Sequence, residues 1–195
     1  MRPSSLVVIV ALSACVALAA CGGSSAPGTP AGGPPVATPD ASAGPTPFQQ
    51  KAYACCATAA ANSVVGQYLG VQRALSRDDV AGAVSAAATL AATCSQLAGA
   101  ASPEDAATLQ KLAADAQALT GADIAAVRKG FGTLSTDLIA WGAVAAPNVA
   151  ATGSAGGLRI AKAYCPMADA SWLQTEPTVS NPYYGASMLT CGSFQ

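Results

Sequence analysis

The stretch Tyr68–Leu90, with the sequence YLGVQRALSRDDVAGAVSAAATL, decides the fold because it joins the end of one helix to the start of another. On both sides of the turn the apolar residues recur three or four positions apart, which is the spacing of an amphipathic helix. The four residues SRDD at Ser76–Asp79 have the pattern of a capping box, so we predict that the second helix starts there. Helices joined by so short a connection run antiparallel.

The same spacing predicts four helices in all. SPED at Ser102–Asp105 gives the third helix a serine cap and a proline at its first position, where proline is favoured. The four apolar stripes cover Tyr53–Leu75, Val80–Leu97, Leu109–Leu119 and Ile124–Ala145. We therefore predict a mainly α protein, an up-and-down four-helix bundle with an irregular C-terminal tail that contains cysteine and methionine and packs on it. Within that tail, LRIAKAYC at 158–165 is expected to be a short strand or an extended arm.

The first 47 residues are predicted to lie outside the folded domain. Residues 1–20 have the positive start and short apolar run of an export signal. Their end, LAAC, resembles the lipobox of bacterial lipoproteins, which implies a lipid on Cys21; an ordinary signal with a chance cysteine is the alternative. Residues 21–47 are rich in Pro, Gly and Ser and form a linker, and residues 48–195 are the helical domain. Because no aspartate follows Cys21, the resemblance favours the periplasmic side of the outer membrane, with the lipid as the membrane contact.

The composition excludes several classes of function. The chain has no histidine, so Ser-His-Asp catalysis, Cys-His catalysis and histidine-based zinc sites are excluded. With 10% charged residues and a net charge of −1, the chain has no basic surface for nucleic acid. We expect no enzymatic activity, and we interpret Asp169 and Glu176 as solvated charges or caps.

The cysteines suggest one disulfide in the bundle. Apart from Cys15 in the signal and Cys21, the chain has five cysteines, at positions 55, 56, 94, 165 and 191. If the first two helices reverse near Ser76, Cys56 and Cys94 lie at a similar height on neighbouring helices. We therefore predict a Cys56–Cys94 disulfide.

The remaining two cysteines have two interpretations. Cys165 and Cys191 either form a second disulfide that closes the tail, or they bind a soft metal ion together with Met167 and Met188. Two thiolates and two thioethers suit Cu(I) or Ag(I) and are poor ligands for magnesium or calcium. Trp172 is either a packing residue or a ring that covers the bound cation. A disulfide and a four-sulfur site exclude one another in any one molecule.

The segments YCPMADASWLQ and NPYYGASMLTCG, at 164–174 and 181–192, resemble the two signature blocks of the family called domain of unknown function 3347. The helical stretch at Tyr68–Leu90 resembles the first two helices of that family. The family occurs as exported bacterial proteins and as a terminal module of CusB-type adaptors of copper and silver efflux pumps. The resemblance therefore implies soft-metal handling, with an efflux pump or another envelope protein as partner.

Two functions are consistent with these features. The first is an exported, lipid-anchored protein that binds Cu(I) or Ag(I) and acts as a buffer or delivery partner in envelope copper handling. The alternative is a non-catalytic structural or interaction module whose tail is closed by a disulfide.

Overall fold

Each helix begins at a residue whose side chain accepts a hydrogen bond from a backbone amide that has no partner within the helix. In a computed structural model that describes residues 46–56, 58–142 and 158–195, these caps are Thr46, Thr58, Asp79, Ser102 and Asp123. The helices that follow them are α1 (Pro47–Lys51), α2 (Ala59–Ser76), α3 (Val80–Ala98), α4 (Pro103–Gln117) and α5 (Ile124–Ala140). The predicted serine cap and first-position proline of the third helix are confirmed.

Several predicted features lie outside the described residues. They are the signal at residues 1–20, the lipid attachment at Cys21, the linker up to residue 45 and the end of the fourth predicted helix beyond residue 142. The described residues all belong to one compact unit. Helix α1 starts at Pro47, one residue inside the predicted linker.

The tail forms a small antiparallel sheet, so the expectation of an irregular tail is wrong. Its strands are β1 (Tyr53–Ala54), β2 (Arg159–Cys165), β3 (Ala170–Gln174) and β4 (Ser193–Phe194). Strand β2 is central and pairs with the other three. It lies within the segment expected to be a short strand, whereas β3 and β4 are too short for periodicity to identify.

The first long helix starts later than its apolar spacing indicated. Its predicted first residue, Tyr53, pairs instead with Ile160, and the helix begins only after the cap at Thr58. The backbone of residues 53–54 thus finds its hydrogen-bond partners more than 100 positions away, in a strand that local spacing cannot reveal.

The predicted capping box at Ser76–Asp79 is also wrong in detail. Ser76 is the last residue of α2, and its hydroxyl donates to the carbonyl oxygens of Gln72 (2.9 Å) and Ser180 (3.0 Å). The cap of α3 is Asp79, whose carboxylate accepts the amide of Gly82 at 2.8 Å. Asp79 therefore caps α3, and Ser76 forms a hydrogen bond with the tail.

Consecutive long helices contact one another, and α5 also packs on β3. The protein is therefore mainly helical with a small sheet, while the up-and-down course of the bundle stays a prediction. Within the described residues, α3 has the length and apolar composition that a membrane span requires. The same properties are typical of a core helix, and α3 contacts both α2 and α4 and buries residues such as Leu90.

A row of aromatic rings joins the helices to the tail. Tyr68 of α2 stacks on Phe131 of α5, with ring centroids 5.2 Å apart. Phe131 contacts Tyr183 at 5.7 Å, and Tyr183 meets the edge of Trp172 at 5.9 Å. Tyr183 thus anchors the tail on the bundle, and the row of rings ends in strand β3.

A second contact between the helices and the tail involves the charged side chains of Asp78 and Arg128. Asp78 accepts hydrogen bonds from the guanidinium of Arg128 (2.5 Å) and from the amide of Ala186 (3.0 Å). A Cβ added at Gly185 would lie 2.0 Å from the Asp78 carboxylate, so the tail approaches this closely only because residue 185 is glycine. The hydrogen bonds from the Ala186 amide and Arg128 lower the pKa of Asp78.

We expect Asp78→Asn to lower the melting temperature at neutral pH. We also expect the melting temperature of this variant to fall less than that of the wild type as the pH is lowered. A carboxyl whose pKa is lowered by folding stabilises the protein above its unfolded pKa of about 3.9. This contribution is lost as the pH falls through the lower folded pKa. Thermal melts from pH 7 to pH 2 should therefore show wild type and variant converging at the acid end.

Asp169→Asn is the matched control. Asp169 also has a positive φ, of 47°, but it accepts the Tyr164 hydroxyl and pairs with no cation among the described residues. Asparagine tolerates the left-handed region at either position. Parallel acid profiles for wild type and Asp78→Asn would contradict the assigned role.

Candidate functional site

Cys165 is the last residue of β2 and stands at the start of a tight hairpin. The turn consists of residues 166–169 and returns the chain to β3, where Cys165 pairs with Ala170. Pro166 has no amide hydrogen, which suits its place in the turn rather than in the ladder. The amides of Met167 and Ala168, in this turn, lower the pKa of the Cys165 thiol.

Cys191 is brought to this hairpin by Asn181, which is fully buried. The Asn181 side chain donates to the carbonyl oxygen of Cys191 at 2.8 Å and accepts the amides of Tyr183 (2.8 Å) and Tyr184 (3.2 Å). The amide group of Asn181 thus bonds the backbone that follows it, as asparagine does in turns. One side chain therefore shapes the turn and holds the end of the tail.

Gly192 allows the final approach of Cys191 to the strand. Its φ is 131°, and an added Cβ would lie 2.8 Å from the carbonyl oxygen of Tyr164 and 3.0 Å from Cη2 of Trp172. Any other residue would collide with the backbone of β2. The glycine after Cys191 is thus a positioning residue for the sulfur before it.

The structure places the two sulfurs in direct contact. The Sγ atoms of Cys165 and Cys191 are 2.9 Å apart, and both residues are free thiols. Cys165 is fully buried, whereas Cys191 is half-buried. The predicted proximity of these two cysteines in the folded tail is therefore observed.

The two thiols of the pair differ in acidity. Burial raises the pKa of Cys165, but hydrogen bonds from the Cys191 thiol, the Ala168 and Met167 amides and Asn181 outweigh it, and the net pKa is lowered. The hydrogen bond to Cys165 raises the pKa of Cys191.

The two methionines lie on the surface beside this pair. Met167 is at the hairpin tip and 64% exposed, and Met188 is 37% exposed. Their backbones lie at the site, since the Met167 amide lowers the pKa of Cys165 and the Met188 carbonyl accepts the Cys191 amide at 3.0 Å. The structure thus brings together two of the four predicted ligands and leaves the two thioethers exposed. In the described part of the chain, no group of three or more Cys, His, Asp or Glu residues could hold a metal.

Trp172, the candidate ring cover, is a core residue beside the site. It is fully buried, and its indole nitrogen donates to Oε1 of Gln174 at 2.9 Å. The edge of its ring lies next to Gly192. Its packing role is observed, and a contact with a bound cation stays a prediction.

The expected Cys56–Cys94 disulfide is absent from the structure, which joins Cys55 to Cys56 and leaves Cys94 as a free thiol. Cys56 precedes the Thr58 cap and has a φ of 78°, so it is not on the helix from which its height was extrapolated. Cys94 is fully buried, and burial raises its pKa to about 11. The Cys94 thiol is therefore protonated and takes no part in the site.

Gln174 also organises the site, although it was not among the residues predicted to do so. The side chain of Gln174 is fully buried; it donates to the carbonyls of Glu176 and Thr178 and accepts the amide of Ser180 and the indole of Trp172. It thereby shapes the loop between β3 and Asn181. The signal in the sequence was a glutamine directly after the apolar residues Trp172 and Leu173.

We expect Gly192→Ala to lower the free energy of unfolding by about 1–3 kcal/mol, the usual cost of a strained backbone, and to separate the two sulfurs. Mild oxidation followed by peptide mapping should then give the Cys165–Cys191 disulfide more slowly than in wild type. Gly121→Ala is the control, because Gly121 also has a positive φ (88°) but nothing within 4 Å of an added Cβ. Equal disulfide formation in both variants would show that Gly192 does not position Cys191.

Comparison with known proteins supports the family resemblance for the helical part. Residues 64–148 match the family described as "Protein of unknown function (DUF3347)". No curated protein and no solved structure matches the chain. The matched residues include most of α2 and all of α3, α4 and α5, and end before the tail, so the likeness of the two tail blocks stays a prediction. The helical segment of this chain, residues 64–148, is therefore similar to the DUF3347 family.

Proposed function

We propose that the protein binds a soft monovalent metal ion, Cu(I) or Ag(I), through Cys165 and Cys191. The observation that supports this most directly is the 2.9 Å contact between their free thiols. Thiolates select soft ions, and a metal that bridges the pair would replace the proton that the two sulfurs share. A small outward movement of the half-buried Cys191 would make room for the ion.

The thioethers complete the proposed ligand set. Met167 and Met188 are exposed on the two segments that carry the cysteines, and both are long, flexible side chains that can turn toward an ion. A thioether donor adds affinity for Cu(I) without adding charge. Because both methionines also face solvent, they provide a route by which an ion enters or leaves.

The cellular role proposed is that of a buffer or delivery partner in the envelope. It rests on the predicted export signal, the predicted lipid on Cys21 and the likeness of the helical segment to the DUF3347 family. On this proposal the protein is tethered to the periplasmic side of the outer membrane and hands its ion to an efflux pump or another envelope protein. It performs no catalysis.

A second candidate is a structural module in which the tail is closed by a Cys165–Cys191 disulfide. The same sulfur contact favours it, because the two thiols need little movement to become bonded. The cysteines are 26 positions apart, so the bond would stabilise the fold by about 3 kcal/mol on chain-entropy grounds. This candidate predicts a disulfide that is retained without metal and a melting temperature that falls on reduction.

Titration of the reduced full chain with Cu(I) against a competing chelator tests the metal proposal. We expect Cys191→Ser to weaken binding at this site by more than about tenfold, the equivalent of 1.4 kcal/mol. Met167→Leu and Met188→Leu, which keep the volume of the side chain, should each weaken binding less than the loss of a thiolate. Binding of Ag(I) should follow the same order.

The matched control is Cys94→Ala, which also removes one thiol but lies in the core, away from the site. Cu(I) binding by the remaining cysteines outside the site should stay the same in this variant. Its competition with the chelator for Cu(I) should therefore equal that of the wild type. Unchanged competition in a variant that carries both Cys191→Ser and Met188→Leu would reject the assigned site.

A further inference from the structure

We infer that Cys165 and Cys191 are a thiol–disulfide exchange pair with a fixed order, in which Cys191 reacts with small-molecule disulfides and Cys165 resolves the product. This activity does not require a bound metal, so it goes beyond the proposed function. It differs from a structural disulfide because the bond would form and break reversibly through the exposed side of one sulfur.

The order follows from burial and not from acidity, because the cysteine with the lowered pKa, Cys165, is the one that solvent cannot reach. Cys165 is completely buried at the end of β2, beneath the hairpin and the end of the tail, so an external disulfide cannot reach its sulfur in the folded protein. Cys191 is half-buried and follows an exposed segment, in which Leu189 is 40% exposed. The first covalent step is therefore available only at Cys191.

The second step is favoured by the geometry of the pair. With Sγ atoms 2.9 Å apart, Cys165 already touches the sulfur that it must attack. Because Cys165 is fully buried and Cys191 is half-buried, Cys165 attacks from the protein interior and the external group leaves toward solvent.

The reaction balances with a low-molecular-weight disulfide, R–S–S–R, as oxidant. Cys191 Sγ attacks one sulfur of R–S–S–R, which breaks that bond and releases RS⁻. Cys165 Sγ then attacks Cys191 Sγ, which breaks the mixed disulfide and releases a second RS⁻. The two thiol protons go to the two RS⁻ ions, so the pair loses two electrons and the oxidant becomes two RSH.

The other described cysteines do not have this arrangement. Cys94 is fully buried and forms neither a disulfide nor a hydrogen bond with another described cysteine. Cys55 and Cys56 are bonded to one another at the opposite end of β2, near Leu158.

The test is to treat the reduced, metal-free full chain with oxidised glutathione and to map adducts by mass spectrometry after acid quenching. In the wild type, glutathione should appear first on Cys191 and disappear as the Cys165–Cys191 disulfide forms. Cys165→Ser should retain one glutathione on Cys191. Cys191→Ser should acquire none on Cys165 over the same period.

Cys94 reports whether each variant is folded, since its core position reacts only after unfolding. The early time points of the wild type test the same order without any substitution. Glutathione on Cys165 at early times, or a lasting adduct on Cys191 in the wild type, would overturn the inference. Failure of Cu(I) binding with the exchange order intact would reject the metal proposal alone.

Discussion

The structure depends on the docking of a short-stranded tail onto helix α2 through buried polar contacts. The Tyr68 hydroxyl lies 2.7 Å from the Ser135 hydroxyl and accepts the amide of Leu173 at 3.2 Å, which links α2, α5 and β3 at one oxygen. Gln72 and Ser76 both donate to the carbonyl oxygen of Ser180. Buried polar groups are expensive to leave unpaired, so these contacts define one position of the tail more sharply than apolar packing does.

The contact between the two cysteines is a consequence of that docking. Cys165 is placed by a hairpin and Cys191 by Asn181 and Gly192, and neither segment contains enough apolar residues to fold alone. The helices supply the surface on which both segments settle. The likeness to a known family lies in those helices, whereas the reactive groups lie in the tail.

The long helices could be predicted because their signals are local. Apolar spacing located α3 and α5, and the Ser102 cap with Pro103 located the start of α4. The strands could not be predicted in the same way, since Tyr53 pairs with Ile160 and the pairing depends on the whole fold. The incorrect Cys56–Cys94 disulfide has the same origin. The helix predicted from Tyr53 onward includes β1 and Cys56, which are not helical. The proximity of Cys165 and Cys191 was anticipated from their residue types, whereas the roles of Gln174 and Gly192 required coordinates.

The separation along the chain between β1 and β2 has a consequence for the order of folding. Contacts between neighbouring helices close short loops and form early, whereas the sheet must close a loop of more than 100 residues and is expected to form late. The tail that carries the sulfur pair docks on α2 through contacts of similar separation, such as that between Leu173 and Tyr68, which are 105 positions apart. The two sulfurs are therefore held in contact only after the helices have formed, and disulfide formation between them would measure how far folding has advanced.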